Sequence, residues 1–97
     1  MINDKYLDVV IEECAEVIQA ITKIKRFGIY DWHPDYDNGN PNWQRLVTEI
    51  GDLLACIDKL ELPETMLANA QDAKRHKLAI YGPEGSYVKE KNSATDT

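Results

Sequence analysis

The sequence predicts an all-α fold, and three observations support this prediction. Apolar residues recur at intervals of three and four along two long segments, no segment shows the alternation typical of a strand, and glycine or proline stands at the expected helix boundaries. The chain has 97 residues, of which 43% are hydrophobic, and this suits one small domain. Because three such helices cannot bury their apolar stripes alone, we expect a four-helix core that is completed by self-association into a homodimer or homotetramer.

The first predicted helix spans residues 3–27. Asn3 or Asp4 supplies its N-cap, and Gly28 supplies the stop, because glycine accepts the backbone conformation that ends a helix. A loop over residues 29–41 follows, in which proline, glycine, asparagine and aspartate are frequent.

The second predicted helix spans residues 41–60, with Asn40 as its N-cap and Pro41 at its first position. The third spans residues 63–80 and ends before a glycine–proline pair. We therefore expect a domain over residues 1–81 and a flexible polar tail over residues 82–97.

The charge of the chain excludes several classes of partner. The formal net charge is -6 and the isoelectric point is about 4.8, which argues against duplex nucleic acid or an anionic membrane as the main partner. No basic leader with an apolar run opens the sequence, and no segment has the roughly 20 apolar residues that span a bilayer. We expect a cytoplasmic protein.

Cys14 and Cys56 fall within helical apolar patterns, so we expect two buried, reduced thiols.

Two acidic pairs carry most of the functional information. Glu13 and Glu16 on the first helix, and Glu49 and Asp52 on the second, each have a three-residue spacing that puts both side chains on one helical face. Each pair lies within an apolar stretch, where carboxylates cost free energy unless a counter-charge meets them. A single such pair is usually a solvated surface, but two pairs at the core boundary of consecutive helices favour a site.

The apolar stripes define where these acids point. Glu13 lies at the edge of the stripe on the first helix, Glu16 lies at its rim, and Glu12 lies further toward water. Glu49 lies on the flank of the second stripe with Asp52 beside it. The predicted first stripe comprises Tyr6, Val9, Cys14, Val17, Ile21 and Ile24, and the second comprises Trp43, Leu46, Val47, Ile50, Leu53, Leu54, Ile57 and Leu60.

Oxygen-only ligands favour Mg²⁺, with Mn²⁺ as the alternative ion. The di-iron carboxylate bundles instead combine glutamate with histidine at this spacing, and neither pair here contains histidine. The sequence therefore predicts a divalent metal site formed by Glu13, Glu16, Glu49 and Asp52.

The order of these motifs resembles that of the MazG-like all-α nucleoside triphosphate pyrophosphohydrolases. The resemblance comprises Glu-Glu-Cys-Ala-Glu at residues 12–16, Lys-Ile-Lys-Arg-Phe-Gly at 23–28 and Glu-Ile-Gly-Asp-Leu-Leu at 49–54. It covers residues 1–60 well and residues 63–81 loosely. The resemblance implies a MazG-like helical bundle that hydrolyses a nucleoside triphosphate between its α and β phosphates, with Mg²⁺ held by the four carboxylates. Small bacteriophage members that trim purine deoxynucleotide pools are similar in size and context only.

The remaining candidate residues follow from this chemistry. A carboxylate that is not fully used by the metal would accept the proton of the attacking water, and Glu12 or Glu16 is the candidate. Glu12 is equally compatible with a surface role. Lys23 lies about two turns beyond Glu16 on nearly the same face, where it would reach a phosphate or pair with the acids.

The third helix and the loop supply further candidates for substrate contacts. Lys74 and Lys77 belong to a basic cluster that would either contact phosphate or interact favourably with the helix dipole. Asn69 stands near the place where the family often has lysine, which is a departure from the family pattern. Trp32 and His33 would hold the base, or else cap the bundle or an oligomer interface.

Two non-enzymatic readings stay open at this point. In the first, the chain is a helical module that oligomerises or binds a partner through its apolar stripes, with the acids as a solubilising rim. In the second, it is a simple divalent-cation buffer. The direction of Glu13 and Glu49 discriminates the first of these from the enzyme, because the enzyme needs them to face each other and the module needs them to face water.

Overall fold

The computed structural model describes residues 2–32 and 39–87. Within these residues there are three α-helices and no strand, which confirms the all-α prediction. A 3-10 turn over Asp4–Tyr6 precedes the helices, which are α1 (Leu7–Phe27), α2 (Asn42–Asp58) and α3 (Glu64–Tyr81). The chain divides into two compact units with their boundary between Leu62 and Pro63.

The first helix has a more elaborate start than the sequence predicts. The side chain of Asn3 accepts a hydrogen bond from the backbone N–H of Lys5 at 3.3 Å, so it caps the 3-10 turn, and α1 proper begins four residues later. The predicted stop is confirmed. Gly28 has a φ of +104°, which side-chain-bearing residues rarely adopt, and its N–H donates to the carbonyl of Ile24 at 2.7 Å.

The start of α2 is held by the preceding loop. The predicted Asn40 cap is wrong, since Pro41 occupies the N-cap position and no side chain caps the helix. Backbone carbonyls of residues 29 and 31 take over this role, because this part of the loop lies against the helix end. The N–H of Asn42 donates to the carbonyl of Asp31 at 2.7 Å, and the N–H of Trp43 donates to the carbonyl of Ile29 at 3.0 Å.

Asn42 joins the two helices at this end of the hairpin. Its side chain is only 2% exposed, and its Nδ2 donates to the carbonyl of Gly28 at 2.9 Å. At the other end, the N–H of Asn3 donates to the carbonyl of Leu60, just beyond α2, at 2.7 Å. The antiparallel pairing of α1 with α2 is therefore held at both ends by hydrogen bonds.

The face of α1 that packs in the hairpin consists partly of other residues than the predicted stripe. Cys14 is exposed and Cys56 is half-buried, so the prediction of two buried thiols is wrong for Cys14. Val9 and Ile21, which belong to the predicted stripe, are exposed as well. The less exposed positions of α1 and of the preceding turn recur at intervals of three and four. They are Tyr6, Val10, Glu13, Val17, Ala20 and Ile24, together with Glu16 and Lys23 next to two of them. Glu13 thus lies within the packed face, and not at its edge.

The facing side of α2 follows the same spacing. Its less exposed positions, continued into the following turn, are Asn42, Arg45, Leu46, Glu49, Leu53, Cys56, Ile57 and Leu60. Across the described residues, the buried hydrophobic side chains are Ala20 and Leu60. Most of the apolar content of this hairpin therefore stays accessible within one chain.

Each helix of the hairpin carries a second apolar stripe, and we call these two together the outer stripes. Their members recur at intervals of three, four and seven residues and are all more than a third exposed. The outer stripes consist of Leu7, Ile11, Ile18 and Ile21 on α1 and of Trp43, Val47, Ile50 and Leu54 on α2.

The second unit contains α3. The helix follows Pro63 and ends at Gly82, whose N–H donates to the carbonyl of Leu78 at 2.9 Å, as the glycine–proline pair predicts. The ring of Tyr87 lies 5.4 Å from that of Tyr81 in a tilted arrangement, and both rings are exposed. Residues 88–97 of the predicted tail lie outside the described residues. Of the helices in residues 2–32 and 39–87, none combines the length and apolarity that crossing a bilayer demands.

Replacement of Asn42 by alanine should lower the free energy of unfolding by about 1–3 kcal/mol, because it removes a buried amide that hydrogen-bonds the Gly28 carbonyl. Gln19→Ala is the matched control, since Gln19 is an exposed amide residue of the same hairpin. Denaturant unfolding at one protein concentration measures both variants. Equal stability of the two variants would show that Asn42 does not hold the hairpin.

Candidate metal centre

Three carboxylates from two helices meet within the α1–α2 hairpin. Glu13 of α1 and Glu49 and Asp52 of α2 each offer a carboxylate oxygen, and these three oxygens lie within 4.8 Å of one another. We call this group the acidic cluster. The antiparallel pairing of the helices brings it together, since Glu13 and Glu49 belong to the facing sides and Asp52 follows Glu49 by one turn. Glu13 and Glu49 are half-buried, and Asp52 is exposed.

One oxygen of the acidic cluster is unsatisfied. Glu13 Oε2 is shielded from solvent, and among the described residues no donor forms a hydrogen bond with it. A buried carboxylate oxygen without a donor costs free energy, and the negative charges beside it raise that cost. A cation at this position would remove both penalties.

The environment of Glu13 raises the pKa of its carboxyl above the ordinary glutamate value. Burial is the largest cause, followed by the charges of Asp52, Glu49, Glu16 and Glu12 in that order. The proton is therefore held more tightly than on an exposed glutamate, because the ionised form would add another negative charge to a partly desolvated group.

Cys56 extends the site along α2. It lies one turn beyond Asp52, and burial, followed by the charges of Glu13 and Asp52, raises the pKa of its thiol. The thiol of the metal-free protein thus stays protonated at neutral pH, and Cys56 is not a member of the acidic cluster.

The other predicted residues of α1 are not members of the acidic cluster. Glu16 is half-buried one turn beyond Glu13, outside the group of oxygens within 4.8 Å but close enough to act on Glu13 electrostatically. Glu12 is exposed, and its charge contributes least to the shift at Glu13. Lys23 is half-buried near the end of α1.

The predicted substrate contacts lie further away in sequence. Trp32 is exposed, and its backbone N–H donates to the side-chain carboxylate of Asp31 at 2.9 Å, while His33 lies outside the described residues. Asn69, Lys74 and Lys77 are exposed on α3, in the second compact unit.

The structure adds a group of polar residues, of which the sequence reasoning had proposed only Glu49 as a site residue. Asn40, Gln44, Arg45, Thr48 and Glu49 line a cavity of about 300 Å³, which we call the polar cavity. Asn40, Gln44 and Thr48 follow one another at intervals of four, as do Arg45 and Glu49, and this spacing was the available signal. Asn42 was also missed, because an asparagine at the start of a helix suggests a cap and does not suggest a contact to another element.

Comparison with protein-family models, with curated proteins and with solved structures finds no match to this chain. The family resemblance therefore rests on the quoted motifs alone.

The raised pKa of Glu13 predicts an unusual pH dependence. Because the pKa in the folded state lies above the unfolded value of about 4.5, the folded state binds more protons between these two values, and this group lowers stability as the pH rises through that window. Without divalent cations, Glu13→Gln should remove this contribution, so that the melting temperature of the variant exceeds that of the wild type more at pH 7.5 than at pH 4.5.

Glu12→Gln is the control for this measurement, because Glu12 is the exposed neighbour of Glu13. Melting curves in a chelator at several pH values compare the two variants. The same pH-dependent difference in both would mean that overall net charge, and not the acidic cluster, causes the effect.

Proposed function

We propose that the chain is a metal-dependent nucleoside triphosphate pyrophosphohydrolase of the MazG-like kind, which converts a nucleoside or deoxynucleoside triphosphate and water into the monophosphate and pyrophosphate. The observation that carries the proposal is the convergence of Glu13, Glu49 and Asp52 from two helices within 4.8 Å. It supports the enzyme over the helical module with an acidic rim, because the rim needs these side chains to point into water.

The acidic cluster has the ligand chemistry that suits Mg²⁺ or Mn²⁺. All its donors are carboxylate oxygens, and Glu13 Oε2 has no competing donor among the described residues. Glu13, Glu49 and Asp52 would hold the ion, with Glu16 as the fourth proposed ligand. The exposure of Asp52 leaves one side of the cluster open to a ligand from solvent.

A Mg²⁺ ion held by these carboxylates would neutralise charge on the triphosphate and lower the pKa of the attacking water. The chain supplies the position of the reaction and the proton acceptor. In the proposed step, the water oxygen bonds to the α-phosphorus, and the bond from that phosphorus to the bridging α–β oxygen breaks. Pyrophosphate leaves with the electron pair, and the water proton passes to Glu16 or to Glu12.

The proposed substrate contacts follow the earlier assignments. Lys23 would approach a phosphate from α1, and Trp32 with His33 would hold the base. The proposed roles of Asn69, Lys74 and Lys77 concern the pyrophosphate side, and a purine deoxynucleotide is the proposed substrate class. Nucleoside triphosphates are cytoplasmic metabolites, so we expect the activity in the cytoplasm.

The outer stripes support the proposed assembly. A hairpin with two buried hydrophobic side chains in its described part gains little free energy from burial, whereas pairing its outer stripes with those of a second copy would form a four-helix core. Ile11 and Ile18 are each 65% exposed, Val47 is 61% exposed and Leu54 is 55% exposed, which gives both helices a substantial area to bury. We propose a homodimer as the basic unit, and a homotetramer would be a pair of such dimers.

Incubation with a panel of triphosphates and Mg²⁺ should release pyrophosphate and a monophosphate. The P-loop signature of enzymes that release orthophosphate is absent from the sequence. Glu49→Gln and Asp52→Asn should each lower kcat by roughly 100-fold or more, because they remove ligands of the group that stabilises the transition state. Orthophosphate and a diphosphate as the first products would overturn the reaction assignment.

The control variant for this assay is Asp58→Asn, which removes an exposed carboxylate at the end of the same helix and should keep full activity. Mg²⁺ or Mn²⁺ should raise the melting temperature of the wild type and of this control, and should have little effect on Asp52→Asn. An equal effect of the ions on all three proteins would exclude the acidic cluster as the metal site.

The double variant Ile18→Glu/Val47→Glu should abolish self-association, because it puts charge into both outer stripes. Sedimentation velocity at micromolar concentration should show a dimer for the wild type and for the control Gln19→Glu, which carries its new charge at an exposed polar position. A well-folded wild-type monomer would contradict the proposed assembly.

A further inference from the structure

The polar cavity lies directly beside the acidic cluster, because Glu49 belongs to both. Its volume of about 300 Å³ is at the lower end of the range for small-molecule pockets. All five lining side chains are polar or charged, so the cavity suits a hydrophilic part of a ligand better than a flat apolar base. Nothing in the proposed function so far uses it.

The hydrogen-bonding capacity of the lining residues further restricts the chemical class of the ligand. Thr48 donates its hydroxyl proton to the carbonyl of Gln44 at 3.2 Å, and the carboxylate of Glu49 can only accept. The side chains that can donate to a ligand are therefore the amides of Asn40 and Gln44 and the guanidinium of Arg45, which carries five N–H groups. Such a set of donors matches the oxygens of a phosphate group.

Arg45 supplies the positive charge of the polar cavity. It is the one basic residue of α2, it is half-buried, and it precedes Glu49 by one helical turn. A guanidinium can donate two parallel hydrogen bonds to phosphate oxygens, which a lysine ammonium cannot do in the same plane. A group held by Arg45 in this cavity would lie next to the carboxylates of the acidic cluster.

We propose that the polar cavity is the polyphosphate subsite of the nucleotide site, with Arg45 as its main cation and Asn40 and Gln44 as additional donors. This inference rests on the proposed function, since it assigns a subsite next to the same metal centre. It adds Arg45 to Lys23, Lys74 and Lys77, the lysines that sequence reasoning proposed as phosphate contacts.

The test compares Arg45→Met with Arg45→Lys. Arg45→Met removes the charge and keeps the length of the side chain, so it should raise KM by about tenfold or more. It should weaken binding of a triphosphate analogue with a methylene group between its α and β phosphates by a similar factor. Arg45→Lys should restore part of the loss because it keeps the charge. Gln44→Ala should weaken analogue binding by a smaller factor.

Arg75→Met is the matched control. Arg75 is an exposed arginine of α3 whose guanidinium pairs with Asp72 at 2.6 Å, so its loss should leave KM unchanged. Mn²⁺ affinity, measured by electron paramagnetic resonance without nucleotide, should be the same in the wild type and in Arg45→Met. If Arg45 has only a structural role, Arg45→Met will lower the melting temperature and leave KM and the affinity for the analogue unchanged. That result would overturn the inference.

These experiments also distinguish a folding failure of the variant, a failure of the proposed function and a failure of the subsite alone. If Arg45→Met fails to fold, Gln44→Ala decides the matter, since unchanged analogue affinity in that variant excludes the polar cavity. If the wild type releases no pyrophosphate from any triphosphate, the proposed function fails, and this inference fails with it. An active wild type with unaffected Arg45 variants overturns the subsite alone.

Discussion

Hydrogen bonds at the two ends of the α1–α2 hairpin set the register on which the acidic cluster depends. The Asn42 side chain binds the Gly28 carbonyl at one end, and the Asn3 N–H binds the Leu60 carbonyl at the other. Glu13 follows Asn3 by ten residues, and Glu49 precedes Leu60 by eleven, so the two acids lie at similar heights along the hairpin. A one-residue slip would turn a helix by about 100° and shift it by about 1.5 Å, which would separate them.

At the position of Glu13, the packing of the hairpin and the proposed metal site favour different side chains. A carboxylate among Val10, Val17 and Ala20 occupies a place where a hydrophobic side chain would stabilise the hairpin. Its neighbours in the acidic cluster add repulsion, and both effects raise the pKa of Glu13. The hairpin therefore carries a local instability that a cation would relieve, while the hydrophobic area that would offset it remains on the outer stripes.

The sequence predicted the helices, the stop at Gly28 and the acids of the cluster, because these depend on local periodicity and on residue spacing. It did not predict which apolar stripe of α1 packs against α2. Cys14 and Ile21 lie next to Val17 and Ile24 around the helix, and periodicity alone cannot rank two adjacent stripes. The capping of α2 by loop carbonyls was also missed, since backbone acceptors leave no signature in the side chains. Arg45 lies one turn before Glu49, but the sequence reasoning considered Lys23, Lys74 and Lys77 as phosphate contacts and did not consider Arg45.

The loop that caps α2 has a consequence for how this protein can recognise anions. The first three N–H groups of α2 donate to the carbonyls of Asp31, Ile29 and Pro41, so the positive end of this helix is already occupied by the protein's own backbone. Phosphate sites of the P-loop type depend on such N–H groups, and this helix end does not offer them. Recognition of a negatively charged ligand near α2 then depends on side chains and bound cations, so single substitutions can retune it while the backbone of the hairpin stays the same.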